Sequence, residues 1–216
     1  MASTPEKTID RLLQQRRIPG QITLGLGGGS GSGKSTIAAA IEEGLRPSAV
    51  EVIVLDRFFK ADDDLPKYYS DYHGERRPDY NRPDSLQVDD MLSSCSAPRR
   101  ADVVIFDGHL VFCYPRMRQL IDLKMFVDAS IEEMLTRRTE RNVAAGYGGD
   151  RDAVRNYNRE CVVPGYKRHV LPSRAHADIV ISNAFSSPAA RDAIVDTLCL
   201  RILAALHTSE PHELPE

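Results

Sequence analysis

Residues 28–36 read Gly28-Gly29-Ser30-Gly31-Ser32-Gly33-Lys34-Ser35-Thr36. Glycines and small hydroxyl residues let a backbone curl until successive N–H groups point at one polyphosphate, and a helix starting there adds its positive end. At this Walker A spacing Lys34 reaches the terminal phosphates, and the Ser35 hydroxyl enters the coordination shell of a magnesium ion. ATP and Mg2+ are therefore the expected cofactors. Phosphoryl transfer also needs an oriented acceptor oxygen. Two carboxylates follow β-branched runs, Asp56 after residues 50–55 and Asp107 after 101–106. The residue just beyond a parallel strand's carboxyl end faces the ligand crevice. Asp56 is the candidate base or orienter of the acceptor hydroxyl and Asp107 the metal-side carboxylate. The two roles are exchangeable at this level, because sequence gives no distances.

Arg137, Arg138 and Arg141 stand three and four residues apart, so guanidinium groups line one side of a helix. A bound triphosphate would offset their repulsion, and Glu132, Glu133 and Glu140 offer a purely structural answer. Beyond them, residues 142–150 carry three glycines, and Arg151 and Arg155 follow. That is the composition of a hinged flap whose cations could close on phosphate and exclude water. Between Ala61 and Pro83 the chain is acidic, tyrosine-rich and proline-punctuated, with little periodicity. A long loop of that kind reads as a substrate loop, since clustered tyrosines need somewhere to pack.

The elements that must hold these groups are legible from apolar patterning. Strands are expected at 21–26, 50–55, 101–106, 123–128 and 177–182. Helices are expected at 8–17, after Ser35, from Asp84 or Ser85 as cap, near 115–120, after a Ser130/Glu133 capping box, and over 189–206. The tail 208–216 reads as frayed. The fold class is α/β: a P-loop NTPase-type three-layer α/β/α architecture with a mainly parallel five-stranded sheet and a helical lid. At 216 residues and 42% hydrophobic, residues 1–216 suffice for a single domain, with a substrate loop at about 57–83 and a lid at about 142–156.

A formal net charge of −3 from 28 basic and 31 acidic residues gives no reason to expect a nucleic-acid surface and suits a small-molecule substrate. The cysteines at 95, 113, 161 and 199 form no CxxC pair, and the six histidines read as isolated, so neither disulfides nor zinc are expected. No apolar run is long enough to cross a membrane, and residues 1–7 lack an apolar signal region, which points to a cytoplasmic protein.

Taken in order, Gly28 to Ser35, Asp56-Arg57-Phe58-Phe59-Lys60, Tyr80-Asn81-Arg82-Pro83-Asp84-Ser85, Phe106-Asp107-Gly108, residues 123–128, Arg137, Arg138, Arg141 and residues 177–181 resemble the uridine kinase and phosphoribulokinase-like group of P-loop kinases. The resemblance implies that Asp56 takes the catalytic-aspartate position and that Arg138 and Arg141 bind substrate and phosphates, with Lys34 in the catalytic set. It puts Phe59, Tyr80, Asn81 and Asp84 on the acceptor side, and it makes a homo-oligomer plausible. The departures concern the acceptor. Asn81 stands where uridine kinases carry a ribose-binding aspartate, with Asp79 and Asp84 as substitutes. Only residues 87–100 precede the third strand, without the family's pyrimidine-holding segment. Two lid arginines align with Gly146 and Gly148, leaving Arg151, and Asp107 replaces a usual glutamate. The expectation is ATP-dependent, magnesium-assisted transfer to a small-metabolite hydroxyl, first the 5′-hydroxyl of a nucleoside. The alternatives are a sugar, glycerate or pantothenate acceptor, or an NTPase switch with no acceptor.

Overall fold

The computed structural model describes residues 5–186 and 188–208. Strands β1 (Ile22–Gly27), β2 (Val50–Val54), β5 (Val103–Asp107), β6 (Leu123–Asp128) and β7 (Ile179–Ser182) form one sheet in the order β2-β5-β1-β6-β7, every neighbouring pair parallel. Side chains alternate across it, as the two-residue period of a strand requires. Val103 and Ile105 enter one apolar cluster, while Val104 and Phe106 enter the other. The first cluster lies under α1 (Pro5–Gln14), α2 (Lys34–Gly44) and α7 (Pro188–His207). The second lies under α3 (Val88–Ser96), α4 (Pro115–Gln119) and the helical turns near Tyr166 and Val170. Helices on both faces of the sheet make the three layers.

Helix α5 (Ile131–Ala144) starts at the anticipated box: the Glu133 N–H donates to Ser130 Oγ, and the Ser130 N–H donates to Glu133 Oε2. Residues 145–150 join it to α6 (Arg151–Tyr157), capped by Asp150 through the Ala153 N–H. From α6 helical turns run on without a break to residue 176. The turns over Asn158–Val162 and Tyr166–Val170 are of the wide π type, just ahead of Pro164 and Pro172. Neither proline has an N–H for the ordinary i→i−4 bond, which favours widening over breakage.

Two expectations about local structure are corrected. The stretch 61–83 is not structureless: β3 (Lys67–Ser70) and β4 (Glu75–Pro78) pair as an antiparallel hairpin. Its strands have four residues each, and β4 lacks apolar alternation, so its support is tertiary. Ser70 Oγ donates to Glu160 Oε2 at 2.7 Å, the Tyr72 N–H donates to Glu160 Oε1, and Tyr68 packs edge-on against Tyr157. Second, neither Asp84 nor Ser85 caps a helix. They lie in a 3-10 turn, Pro83–Ser85, and α3 begins at Val88 after Gln87. The stretch 208–216 expected to fray lies, apart from Thr208, outside the described residues.

Candidate active site

The phosphate loop connects β1 to α2, and its geometry rests on glycine. Gly33 has φ 100°, and a Cβ there would sit 2.1 Å from the Asn183 Nδ2. That amide donates to the Ser32 carbonyl and braces the loop from behind. Lys34 Nζ reaches back across the loop to the Gly29 carbonyl at 3.0 Å. Burial lowers the Lys34 pKa, against the opposing pull of the Asp107 and Asp56 carboxylates. Ser35 Oγ donates to Asp107 Oδ2 at 2.7 Å, so the two expected metal-side groups are already adjacent.

Two polar atoms here, Ser32 Oγ and Arg137 Nη1, are buried without a partner. Such orphans are costly in a finished interior and are natural at a site shaped for an anion. These residues therefore fit a nucleoside triphosphate. Among the described residues no three His, Cys, Asp or Glu side chains form a metal-binding group. A magnesium ion held mainly by phosphates and water, with one hydroxyl and one carboxylate from the protein, needs no such group.

A cavity of about 380 Å³ covers the loop, lined by Lys34, Ser35, Thr36, Asp107 and Arg137 among others. Beside it lies a larger cavity of about 680 Å³, walled by Phe59, Tyr68, Tyr80, Asn81, Arg138 and Tyr157 among others. Ser30, Asp56, His109 and Arg141 line both. Asp56 thus stands where the two cavities meet, in the turn that follows β2. Its partial burial acts to raise its pKa, but the neighbouring His109 ring, then the charges of Lys34 and Arg141, outweigh this and hold the carboxyl below its ordinary value.

The arginines of α5 divide by helical spacing. Arg137 donates to the Asn183 carbonyl at 2.7 Å and stacks over Phe185 beside the smaller cavity. Arg138 turns to the larger cavity, where it donates to Asn158 Oδ1 and lies over Tyr157. Arg141 reaches Ser30 Oγ and Asn142 Oδ1 between the two. None of the three has a carboxylate partner among the described residues. Glu133 takes the Ser130 and Phe185 N–H groups instead, and Glu140 binds Arg151.

Asn81 is buried. Its amide donates to the Tyr157 hydroxyl at 3.1 Å and to Cys161 Sγ, and its N–H donates to Asp79 Oδ1. Phe59 packs edge-on against Tyr80 at 5.0 Å. Asp84 is not brought to this cavity; it is paired with Arg82 at the surface. Nor do Arg151 and Arg155 line either cavity. Arg151 is bound bidentately to Glu140, and Arg155 faces Asp152. The connection 145–150 contributes Tyr147 and Gly148 to the larger cavity, and the hairpin contributes Arg76 and Arg77.

His109, read from sequence as isolated, lies beside Asp56, its Nδ1 3.7 Å from Oδ1. Its place two residues beyond Asp107, past a core strand, was the available signal. Tyr157 and Tyr68 were also missed, because a tyrosine in α6 meets one in the hairpin only through the tertiary fold.

The model of the phosphoribulokinase/uridine kinase family matches residues 66–187. Among curated proteins the chain is 26% identical to uridine-cytidine kinase-like 1 of Mus musculus, over 89% of this chain and 40% of that protein. It is 29% identical to uridine kinase-like protein 3 of Arabidopsis thaliana, over 80% and 41%. The chain thus spans about two fifths of these relatives' length. Against the uridine kinase of Latilactobacillus sakei it is 24% identical, over 85% and 95%. A solved structure from Silicibacter sp. TM1040, to which a fructose transport system kinase role has been ascribed, superposes with a TM-score of 0.54 at 20% identity, covering 83% of this chain and 99% of that one. That likeness concerns the fold.

Proposed function

The chain belongs to the phosphoribulokinase/uridine kinase family, and on that premise we propose that it is an ATP-dependent kinase acting on the hydroxyl of a small metabolite. The observation that carries this reading is the meeting of two cavities at Asp56 and Arg141. An NTPase switch needs only the donor cavity. In this mechanism Lys34 and the loop amides clamp the donor's terminal phosphates, and Arg137 and Arg141 offset their charge. Asp56 accepts the hydrogen bond of the acceptor hydroxyl, orients its oxygen in line with the transferred group, and takes its proton as transfer proceeds. Ser35 and Asp107 would hold a magnesium ion, which when bound neutralises phosphate charge and lowers the barrier to transfer. Arg138, Asn81, Phe59 and Tyr80 bind the acceptor. The flap around Tyr147, with 67% of that side chain's residue surface exposed, closes over it as a lid spanning about 142–156, limiting loss of the phosphoryl group to water.

A non-nucleoside acceptor, such as a sugar, glycerate or pantothenate, is the better-supported class. Asn81 offers an amide already committed to Tyr157 and Cys161, and none of residues 87–100 lines the acceptor cavity. A nucleoside 5′-hydroxyl is the second reading, favoured by the aromatic walls of Phe59, Tyr68, Tyr80 and Tyr157. ADP release should be followed across nucleosides, sugars, glycerate and pantothenate, with the product identified by mass. One acceptor class is expected to stimulate turnover. In Asp56→Asn that stimulation should fall by about a thousandfold while ATP affinity stays within about threefold. Turnover indifferent to every acceptor would return the switch reading.

A further inference from the structure

His109 touches three parts of the site at once. It leaves the sheet two residues beyond the metal-side Asp107. Its Nδ1 lies 3.7 Å from Asp56 Oδ1, and its Nε2 lies 3.1 Å from the Tyr80 carbonyl. Its ring centroid is 6.0 Å from that of Phe59, which packs on Tyr80. The side chain is only 12% exposed, whereas that of Asp56 is 60% exposed. A mostly covered imidazole with one nitrogen on a main-chain carbonyl is therefore the stiff member of the trio, and the open carboxylate facing the other nitrogen is the one in need of restraint. The only basic side chain within 4 Å of the Asp56 carboxylate among the described residues is this ring, and Asp56 sits in a short 3-10 turn with no side-chain cap.

We propose that His109 is a positioning residue that braces the Asp56 carboxylate against the Tyr80 main chain, so that the base and the acceptor-binding segment keep one separation. This rests on the kinase reading above. A brace of this kind acts on orientation: displacement of a base by about 1 Å can cost about a hundredfold in rate with no contact to substrate lost. The role uses the two nitrogens separately. With a proton on each nitrogen, Nδ1–H donates towards Asp56 and sets kcat, while Nε2–H donates to the Tyr80 carbonyl and sets acceptor KM.

The two side-chain amides separate these functions, since the Asn nitrogen can stand near the Nδ1 position and the Gln nitrogen near Nε2. With the full chain and the acceptor found by the panel, His109→Ala should lose about 10- to 100-fold in kcat and raise acceptor KM several-fold, with ATP dissociation unchanged within about twofold. His109→Asn should recover mainly kcat, and His109→Gln mainly KM. Hydrogen exchange of the amides in residues 80–86 should quicken by about tenfold in His109→Ala and return towards the original rate in His109→Gln. If His109→Ala keeps kcat and KM while the unsubstituted protein transfers phosphate, the brace is wrong and the kinase reading stands. If no acceptor is phosphorylated at all, the kinase reading fails, and the brace is judged on exchange alone, where unchanged protection of residues 80–86 overturns it. A uniform loss not repaired by either amide would also overturn it, because that is the mark of a ring needed only for packing.

Discussion

At the scale of single residues, the groups for transfer have opposite electrostatic problems. Lys34 is buried and must hold a positive charge that burial disfavours, which is why two carboxylates and a bare carbonyl surround it. As the proposed base, Asp56 must stay ionised to accept a proton. Its lowered pKa keeps the carboxylate form as pH falls, so its protonation should inhibit only below the ordinary aspartate value of about 3.9. Partial burial works the other way and is the largest single influence, with His109 the first of the groups that outweigh it. Removing His109 should therefore raise the Asp56 pKa and move the acid limb of kcat/KM to higher pH. A profile from pH 3.5 to 8 on the protein and on His109→Ala checks this, and an unmoved limb would assign it to another group.

At the scale of elements, the site depends on a hairpin that has no core of its own. β3 and β4 are held to the helical run by Glu160, whose carboxylate takes both the Ser70 hydroxyl and the Tyr72 N–H. Close approach makes the second attachment. A Cβ at Gly165 would stand 2.4 Å from that of Asn81, so glycine there lets the helix lie against the acceptor segment. An isolated two-stranded hairpin is marginal in water, so its anchor should matter more to binding than to folding. Glu160 lines neither cavity. We expect Glu160→Ala to raise acceptor KM by about five- to tenfold and to open residues 67–78 to proteases, with the KM for ATP unaltered. An unchanged acceptor KM would make the hairpin incidental to the acceptor cavity.

At the scale of the molecule, ligand binding and stability are coupled, because the loop, α2, β5 and α5 are assembled only in the folded chain. ATP at a hundred times its dissociation constant should stabilise the fold by about 2.7 kcal/mol. For a domain of this size that is a rise in Tm of about 5–10 °C. Lys34→Ala should lose most of that shift, and Asp56→Asn should keep it, since only the first removes a cation that clamps the phosphates. Equal shifts in all three proteins by thermal denaturation would argue against the clamp. The described residues include no helix long and apolar enough to cross a membrane.

The sequence alone determined what is local or repeats with a fixed period. The phosphate loop, the five parallel strands, the Ser130/Glu133 box and the placing of Asp56 and Asp107 at strand ends follow from glycine conformation, two-residue alternation and capping chemistry, all written in neighbouring residues. Tertiary structure decided what depends on residues far apart meeting. It paired His109 with Asp56 across 53 positions and docked the hairpin on Glu160 across some 90. It also sent Arg137 and Arg138, adjacent in the chain, to opposite halves of the site, and it set Arg151 against Glu140. Such contacts are chosen by the packing of whole elements, and no short window of sequence contains both partners.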